Sequence, residues 1–418
     1  MINKFSCHNF RNVKADGLEF EKINLLIGPN NSGKSNFIKA LTFFSEMLKN
    51  ADDGNLKSAF LNTVARNGWD HSLCKSAQET EPIEFTWEMM IDEKPFEYKL
   101  SFGVGKTVEQ CNIVLEELNS AERLENYEQQ FNYFCCHSEK IGLGKVSTAI
   151  RKGQKNRRLN FAIDSKETIV MQFKDILLNN RDIYGSERIR VDIARILYQL
   201  QKYFEGFRVY TSVGLDTNRM RNPAELNCTD EFLNDSASNF TNVFNKYKAE
   251  DIFWKDLFEE RMKDLIPNLK TADIVTAYNK LIFKLIFNDE QYDLSDVSEG
   301  TLKGLVLNML INMPMGDDGS LLAIDEPETN LHPAWQKVVG HWIQTSGNYK
   351  QFFISTHSPD FLDVFTEEFK YGNVAVFVFD DGERIKKIQY QDIADELGDW
   401  ELGDLYRTND PALGGWPW

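Results

Sequence analysis

The run Gly28-Pro29-Asn30-Asn31-Ser32-Gly33-Lys34-Ser35 constrains this chain more than any other feature, because of what stands on either side of it. The short apolar stretch Ile23–Ile27 leads into it, and after it Phe37, Leu41, Phe44 and Leu48 recur at helical spacing. Strand, glycine loop and helix form the setting a phosphate cradle needs. Gly28 and Gly33 allow backbone conformations that aim successive N–H groups at an anion, and the helix adds its positive end. Asn30, Asn31, Ser32, Gly33, Lys34, Ser35 and Asn36 are therefore the candidate nucleotide-binding residues, with Lys34 reaching the β and γ phosphates and Ser35 offering a hydroxyl to Mg²⁺. The cofactors implied are ATP and Mg²⁺.

Three segments in the last third complete the chemistry. Leu321–Ile324 reads as a buried strand that delivers Asp325 and Glu326 at its end. Adjacent carboxylates there divide the work, Asp325 orienting the metal and Glu326 polarising the attacking water. Asp325 alone would read as a helix cap; following a phosphate loop, it reads as a metal ligand. Ser298 precedes a helix whose apolar positions are Leu302, Leu305, Val306, Met309, Leu310 and Met313, stopped by Pro314. Such a helix start binds anions through free amides and the dipole, although simple capping by Ser298 explains it equally well. A second strand, Phe352–Ser355, runs into Thr356-His357-Ser358.

These segments resemble those of the ABC-type ATPases of the SMC, RecF and OLD group, and most closely the prokaryotic AAA-family ATP-binding proteins of defence operons. Asn9-Phe10-Arg11 is similar to the group's N-terminal strand motif and Val297-Ser298-Glu299-Gly300 to its signature. Asp325 through Pro333 looks like its Walker B and D-loop, and Thr356-His357-Ser358-Pro359 like its histidine loop. The resemblance implies an α/β fold: an ABC-type P-loop ATPase head, with a mixed sheet, flanking helices and an antiparallel β lobe, carrying a largely helical insert. It implies a homodimer or higher homo-oligomer in which Ser298 and Gly300 of one copy touch the γ-phosphate held by Lys34 of the other, while His357 contacts that phosphate in cis. Glu326, His357 and Lys34 are the catalytic candidates. Ser35, Asp325 and Gln172 are those for the metal, and Arg11 approaches the nucleotide. Two departures stand out: Val297 replaces the group's usual leucine, and the stretch after His357 lacks the acidic clusters of a Toprim nuclease.

The head is expected to be split, with residues 1–105 as its N-terminal part, 106–206 as a mostly helical insert and 207–418 as its C-terminal part. Ile83–Met89 and Phe96–Phe102 alternate with period two. Val114–Gln130 reads as a charged helix, and Ser186 as the cap of a helix bearing Ile189, Ile193, Ile196, Leu200 and Phe204. Near the end, Asp380-Asp381-Gly382 looks like a turn joining Ala375–Phe379 to Ile385–Ile388. The Trp-rich end through Trp418 is expected to fold back onto the body rather than serve as a docking tail.

A net charge of −17 opposes a non-specific grip on nucleic acid, which depends on Lys and Arg displacing phosphate counterions. DNA contact is thus limited to a local run, Lys145, Arg151, Lys152, Lys155, Arg157 and Arg158, which reads more readily as a solvated loop. No stretch approaches the roughly 20 apolar residues that span a bilayer, and nothing looks like a signal peptide, so a cytoplasmic protein without membrane contact is expected. Six cysteines include the run Cys135-Cys136-His137, but without a second ligand pair it reads as packed thiols rather than metal ligands. The functions in view are an ATP-gated switch controlling a separate effector, a nuclease or toxin, in antiphage defence; a RecF-like clamp on DNA; and a slowly hydrolysing ATP-bound scaffold.

Overall fold

The computed structural model describes residues 1–49, 58–74, 81–123, 128–137, 142–147, 158–179, 187–211, 214–227, 230–288, 290–315, 320–380 and 385–414. The chain divides into two units: residues 1–22, 28–207 and 379–387 form the first, and 23–27, 208–378 and 388–418 the second.

The first unit is built on an eight-stranded sheet. Strands β1 (Ile2–Phe10) and β2 (Val13–Glu19) pair at one edge, β3 (Ile23–Ile27) departs to the second unit, and β4 (Ile83–Ile91), β5 (Lys94–Gly103), β6 (Asn112–Ser120), β7 (Asn132–His137), β8 (Leu143–Ser147) and β9 (Arg158–Ala162) continue the sheet in the order β2-β1-β4-β5-β6-β7-β8-β9. Every pairing along it is antiparallel. Helix α1 (Lys34–Lys49) lies on its buried face, where Phe37 and Phe43 meet Phe5, Phe10, Phe85 and Phe102 in edge and stacked contacts. Trp87 is fully buried and donates its indole N–H to the Leu41 carbonyl at 2.9 Å, the partner a buried indole requires. Helices α2 (Ala59–Arg66), α3 (Ile169–Asn179) and α4 (Glu187–Glu205) complete this unit.

Residues 106–206 belong to this same unit, and their first half is sheet. Val114 to Ser120, expected as the start of a charged helix, is strand β6. Its partner β5 decides the matter: Glu116 is buried and accepts hydrogen bonds from the Tyr98 hydroxyl at 3.1 Å and the Ile169 amide at 2.6 Å, so a residue that looks like helix surface is a paired core residue. The expected helix bearing Ile196, Leu200 and Phe204 is present as α4, with those three buried. Its expected cap Ser186 lies outside the described residues, as do Arg151, Lys152, Lys155 and Arg157 of the basic run and the last four residues of the tail.

A six-stranded sheet is ordered β10-β15-β16-β3-β17-β18, from β10 (Phe207–Thr211), β15 (Leu321–Asp325), β16 (Gln351–Ser355), β17 (Val374–Val378) and β18 (Lys386–Ile388) around β3, and its four central strands belong to the second unit. Strands β15, β16, β3 and β17 run parallel. They are almost wholly buried, which is why they read as continuous apolar runs. A smaller antiparallel sheet comprises β11 (Ala224–Glu225), β12 (Thr271–Ala277), β13 (Lys280–Ile286) and β14 (Gln291–Asp293). Around the sheets lie α5 (Thr217–Arg221), α6 (Phe240–Glu250), α7 (Ile252–Leu265), α8 (Glu299–Asn312) and α9 (Pro333–Thr345). On α9 Val339, Trp342 and Ile343 are buried, while Trp335 and Val338 are partly exposed. No helix among the described residues is long and apolar enough to cross a membrane.

Candidate nucleotide-binding site

Parallel register aligns the strand ends. Asp325 pairs with Ser355, Ser355 with Leu26, and Val378 with Ile27, so β15, β16, β3 and β17 finish together and the phosphate loop follows directly from the end of β3. In parallel sheets ligands bind at the carboxyl ends of the strands. The loop has the conformation its glycines allow, with φ of +151° at Gly28, +66° at Asn31 and +108° at Gly33. A Cβ at Gly28 would run into the Phe379 carbonyl oxygen. Helix α1 begins at Lys34, whose ammonium curls back and donates to the carbonyls of Gly28 at 2.7 Å and Pro29 at 2.9 Å. The Ser32 hydroxyl is buried without a hydrogen-bond partner, the kind of polar group that an anion in the loop would satisfy.

The structure brings Arg11 to this loop. Its guanidinium donates to the Asn36 side chain on the first turn of α1 at 2.6 Å and to the Asn67 carbonyl at 2.6 Å. Asn12, unremarked in the sequence, bridges the Asn31 carbonyl at 3.2 Å and the Asn36 amide at 2.8 Å. Gln172 has a local task. Its side-chain amide makes three hydrogen bonds, to both backbone groups of Asp164 and to the Glu167 carbonyl, and so holds the turn that opens α3.

Asp325 and Glu326 are held by Ser355. The Ser355 hydroxyl donates to the Asp325 carboxylate and accepts the Glu326 backbone N–H at 3.1 Å, which also reaches the Ser355 carbonyl. Glu326 sits at φ +54°, a left-handed conformation that costs a non-glycine residue roughly 1–2 kcal/mol and persists only where its surroundings impose it. Its carbonyl accepts from the Lys303 ammonium at 3.2 Å and from the Thr329 N–H at 3.2 Å, while its carboxylate lies 3.6 Å from His357 Nε2. Behind it Glu328 is half-buried, and desolvation pushes its carboxyl upward even though the His357 N–H donates to it at 2.7 Å. Asp325, Glu326 and His357 thus come together on adjoining strand ends.

Ser298 is the N-cap of α8, accepting the Thr301 N–H at 3.1 Å, and it is exposed. The capping explanation therefore holds, and it leaves Ser298 facing solvent. Gly300 has a packing reason of its own: a Cβ there would stand 2.9 Å from the Asn330 carbonyl oxygen, in the loop after Asp325 and Glu326. Beside Ser298 and Thr301 opens a groove of about 850 Å³ whose wall includes Phe287, Tyr292, Val297 and Trp335. Lys303, which sequence reasoning passed over, is the residue of α8 that reaches Glu326. It is 5% exposed, and burial pulls its ammonium down to about 8 against the opposing pull of Glu328 and Glu326.

With this geometry in place the relatives are informative. Residues 23–363 match the family described as "AAA domain, putative AbiEii toxin, Type IV TA system". The chain belongs to this family. It is a P-loop ATPase, and its α/β architecture is that of the SMC heads: it matches the crystal structure of an SmcHead bound to the C-winged helix domain of ScpA at a TM-score of 0.52 and 14% identity, over 93% of this chain and 98% of that one. It is 31% identical to the Retron Vc95 probable ATPase of Vibrio cholerae serotype O1 biovar El Tor over 102 residues, 24% of this chain and only 20% of that protein. It is also 21% identical to an ATP/GTP phosphatase of Helicobacter pylori (strain ATCC 700392 / 26695), over 85% of this chain and 84% of that protein. Ser35 and Asp325 offer hard oxygen donors, the kind that suits Mg²⁺.

Proposed function

We propose that this ATPase is a two-fold switch: nucleotide held by the loop of one copy is closed over by Ser298 and Gly300 of a second, and the closed and open forms are read by a separately encoded effector in antiphage defence. The observation that carries the proposal is the Lys303 contact. Exposed Ser298 starts α8, and Lys303, one turn further along, donates to the carbonyl of Glu326. A phosphate that draws on the α8 start thereby acts on the backbone of the residue that would polarise water.

The division of labour follows from the motif chemistry. Lys34 neutralises the β and γ phosphates, the loop amides from Asn30 to Asn36 orient them, and Arg11 steadies the loop's helix through Asn36. Bound Mg²⁺ supplies charge neutralisation at the phosphates, and Ser35 and Asp325 are the residues that would hold it. Glu326 takes the water proton, and His357, 3.6 Å from its carboxylate, sits where it can bear on the same phosphate. The relative named as a retron's probable ATPase and the family's link to a Type IV TA system support a setting in which a second component acts.

Sedimentation of Glu326→Gln tests the closure, since that change leaves binding intact and stalls turnover. ATP with Mg²⁺ is expected to drive association in this background and Ser298→Arg to abolish it by bulk and charge. Absence of any ATP-dependent or pre-existing oligomer overturns the switch. Co-purification with the neighbouring gene's product, with and without ATP, tests the effector.

A further inference from the structure

Among the described residues one group outside the nucleotide site has the chemistry of metal ligands: Glu117 on β6 with Cys135 and His137 on β7. We propose that these three side chains form a binding site for Zn²⁺.

Positions 135 and 137 are two apart on one strand and so project from the same face of the sheet. Ladder register sets Glu117 directly opposite Cys135, and Leu115 opposite His137, which makes Glu117 the diagonal neighbour of His137 on that face. The consequence is a tripod. One ligand atom from each residue lies within 4.8 Å of the other two, and His137 Nε2 is already 3.0 Å from Glu117 Oε1. Zinc bonds of about 2.0–2.3 Å in a tetrahedron put neighbouring ligand atoms roughly 3.3–3.8 Å apart, so rotation of side chains through about an ångström closes the set. Strands position the ligands more firmly than loops do.

The donor set selects the ion. Thiolate and imidazole suit Zn²⁺ and serve Mg²⁺ and Ca²⁺ poorly, so the site is chemically distinct from the oxygen donors of the nucleotide loop. Three protein ligands leave a fourth position open. Cys136, adjacent in sequence, takes no part, because it projects from the opposite face. That explains why the run Cys135-Cys136-His137 looked short of ligands: the third comes from the neighbouring strand. Arg158 Nη1 reaches the Cys135 sulfur at 3.6 Å, and Lys145 pairs with Cys135 across β8. The exposed Arg158 side chain is free to swing aside as a metal takes its place at the sulfur. The simpler explanation, a surface His–Glu hydrogen bond beside a buried thiol, accounts for the 3.0 Å contact but predicts no metal uptake.

The test is titration of the full, chelator-stripped chain with Zn²⁺ alone, without nucleotide and with Mg²⁺ in excess, and in parallel with Co²⁺, whose thiolate bond has its own absorption. One equivalent of Zn²⁺ is expected, with a cobalt–thiolate band. Cys135→Ser is expected to abolish the band, and His137→Asn, at an exposed position that cannot unsettle the fold, to weaken Zn²⁺ by about a hundredfold or more. Cys136→Ser is expected to leave band and stoichiometry unchanged. Wild-type uptake no greater than that of His137→Asn, or a cobalt–thiolate band that survives Cys135→Ser, overturns the site.

Discussion

Replacing Lys303 with methionine separates stability from turnover. The ammonium is buried in α8 and faces two carboxylates, Glu326 and Glu328, yet burial outweighs them and brings it from the usual 10.5 to about 8. Between about pH 8 and 10.5 the unfolded chain therefore holds a proton that the folded one has lost, and stability rises with pH across that window. Below it the folded protein carries the full cost of an enclosed charge. A fall from 10.5 to about 8, at about 1.36 kcal/mol per pH unit, comes to about 3 kcal/mol. Lys303→Met removes that cost, so its stability relative to wild type is expected to be greatest near neutral pH and to decline by about 3 kcal/mol toward pH 10.5. Urea unfolding of both proteins across this range measures the difference. Turnover is expected to go the other way. The lost hydrogen bond to the Glu326 carbonyl is charge-assisted and worth about 1.5–3 kcal/mol, which expressed fully in the transition state slows hydrolysis by about 10- to 100-fold. Identical pH profiles for the two proteins would refute the argument, because they would mean that the ammonium is solvated.

Glu326→Gln is expected to bind ATP normally while hydrolysis stalls; an unchanged rate removes Glu326 from its role. Ser355→Ala deletes the hydroxyl shared by Asp325 and the Glu326 N–H, and steady-state ATPase assays are expected to show about a 10- to 100-fold loss with little change in nucleotide affinity. Gly28→Ala places a methyl against the Phe379 carbonyl and is expected to abolish binding of a fluorescent ATP analogue. Burial pushes the Glu116 carboxyl up to about 8, so the folded chain keeps a proton that the unfolded chain releases from about pH 4.5, and stability falls as pH rises to about 8. Glu116→Gln is expected to flatten that dependence in urea unfolding; an undiminished slope assigns it to another group.

How legible each part was in the sequence depended on how local its cause is. The phosphate loop was readable because strand, glycines and helix follow one another within a few turns of chain, and β15 and β16 were readable because both faces of a parallel strand are buried. Gln172 is the opposite case. A lone glutamine carries no periodic signal, and only the three hydrogen bonds it makes to the 164–167 turn reveal its task. Strand β6 was hidden by Glu116 and Glu117, since a buried glutamate is legible only once its partners Tyr98 and Ile169 are in place. Helix α8 shows the limit most clearly. Its apolar positions suggested one inward face, yet every residue from Leu302 to Asn312 is buried, Lys303, Asn308 and Asn312 among them. Asn308 satisfies the Phe258 carbonyl at 2.7 Å, and Lys303 satisfies that of Glu326. A helix enclosed on all sides can keep polar residues only where each finds a partner. Asn308 and Lys303, which break the apolar pattern of α8, are therefore positions through which it grips its neighbours, and the grip on Glu326 ties the exposed Ser298 end of this helix to the residue that would polarise water.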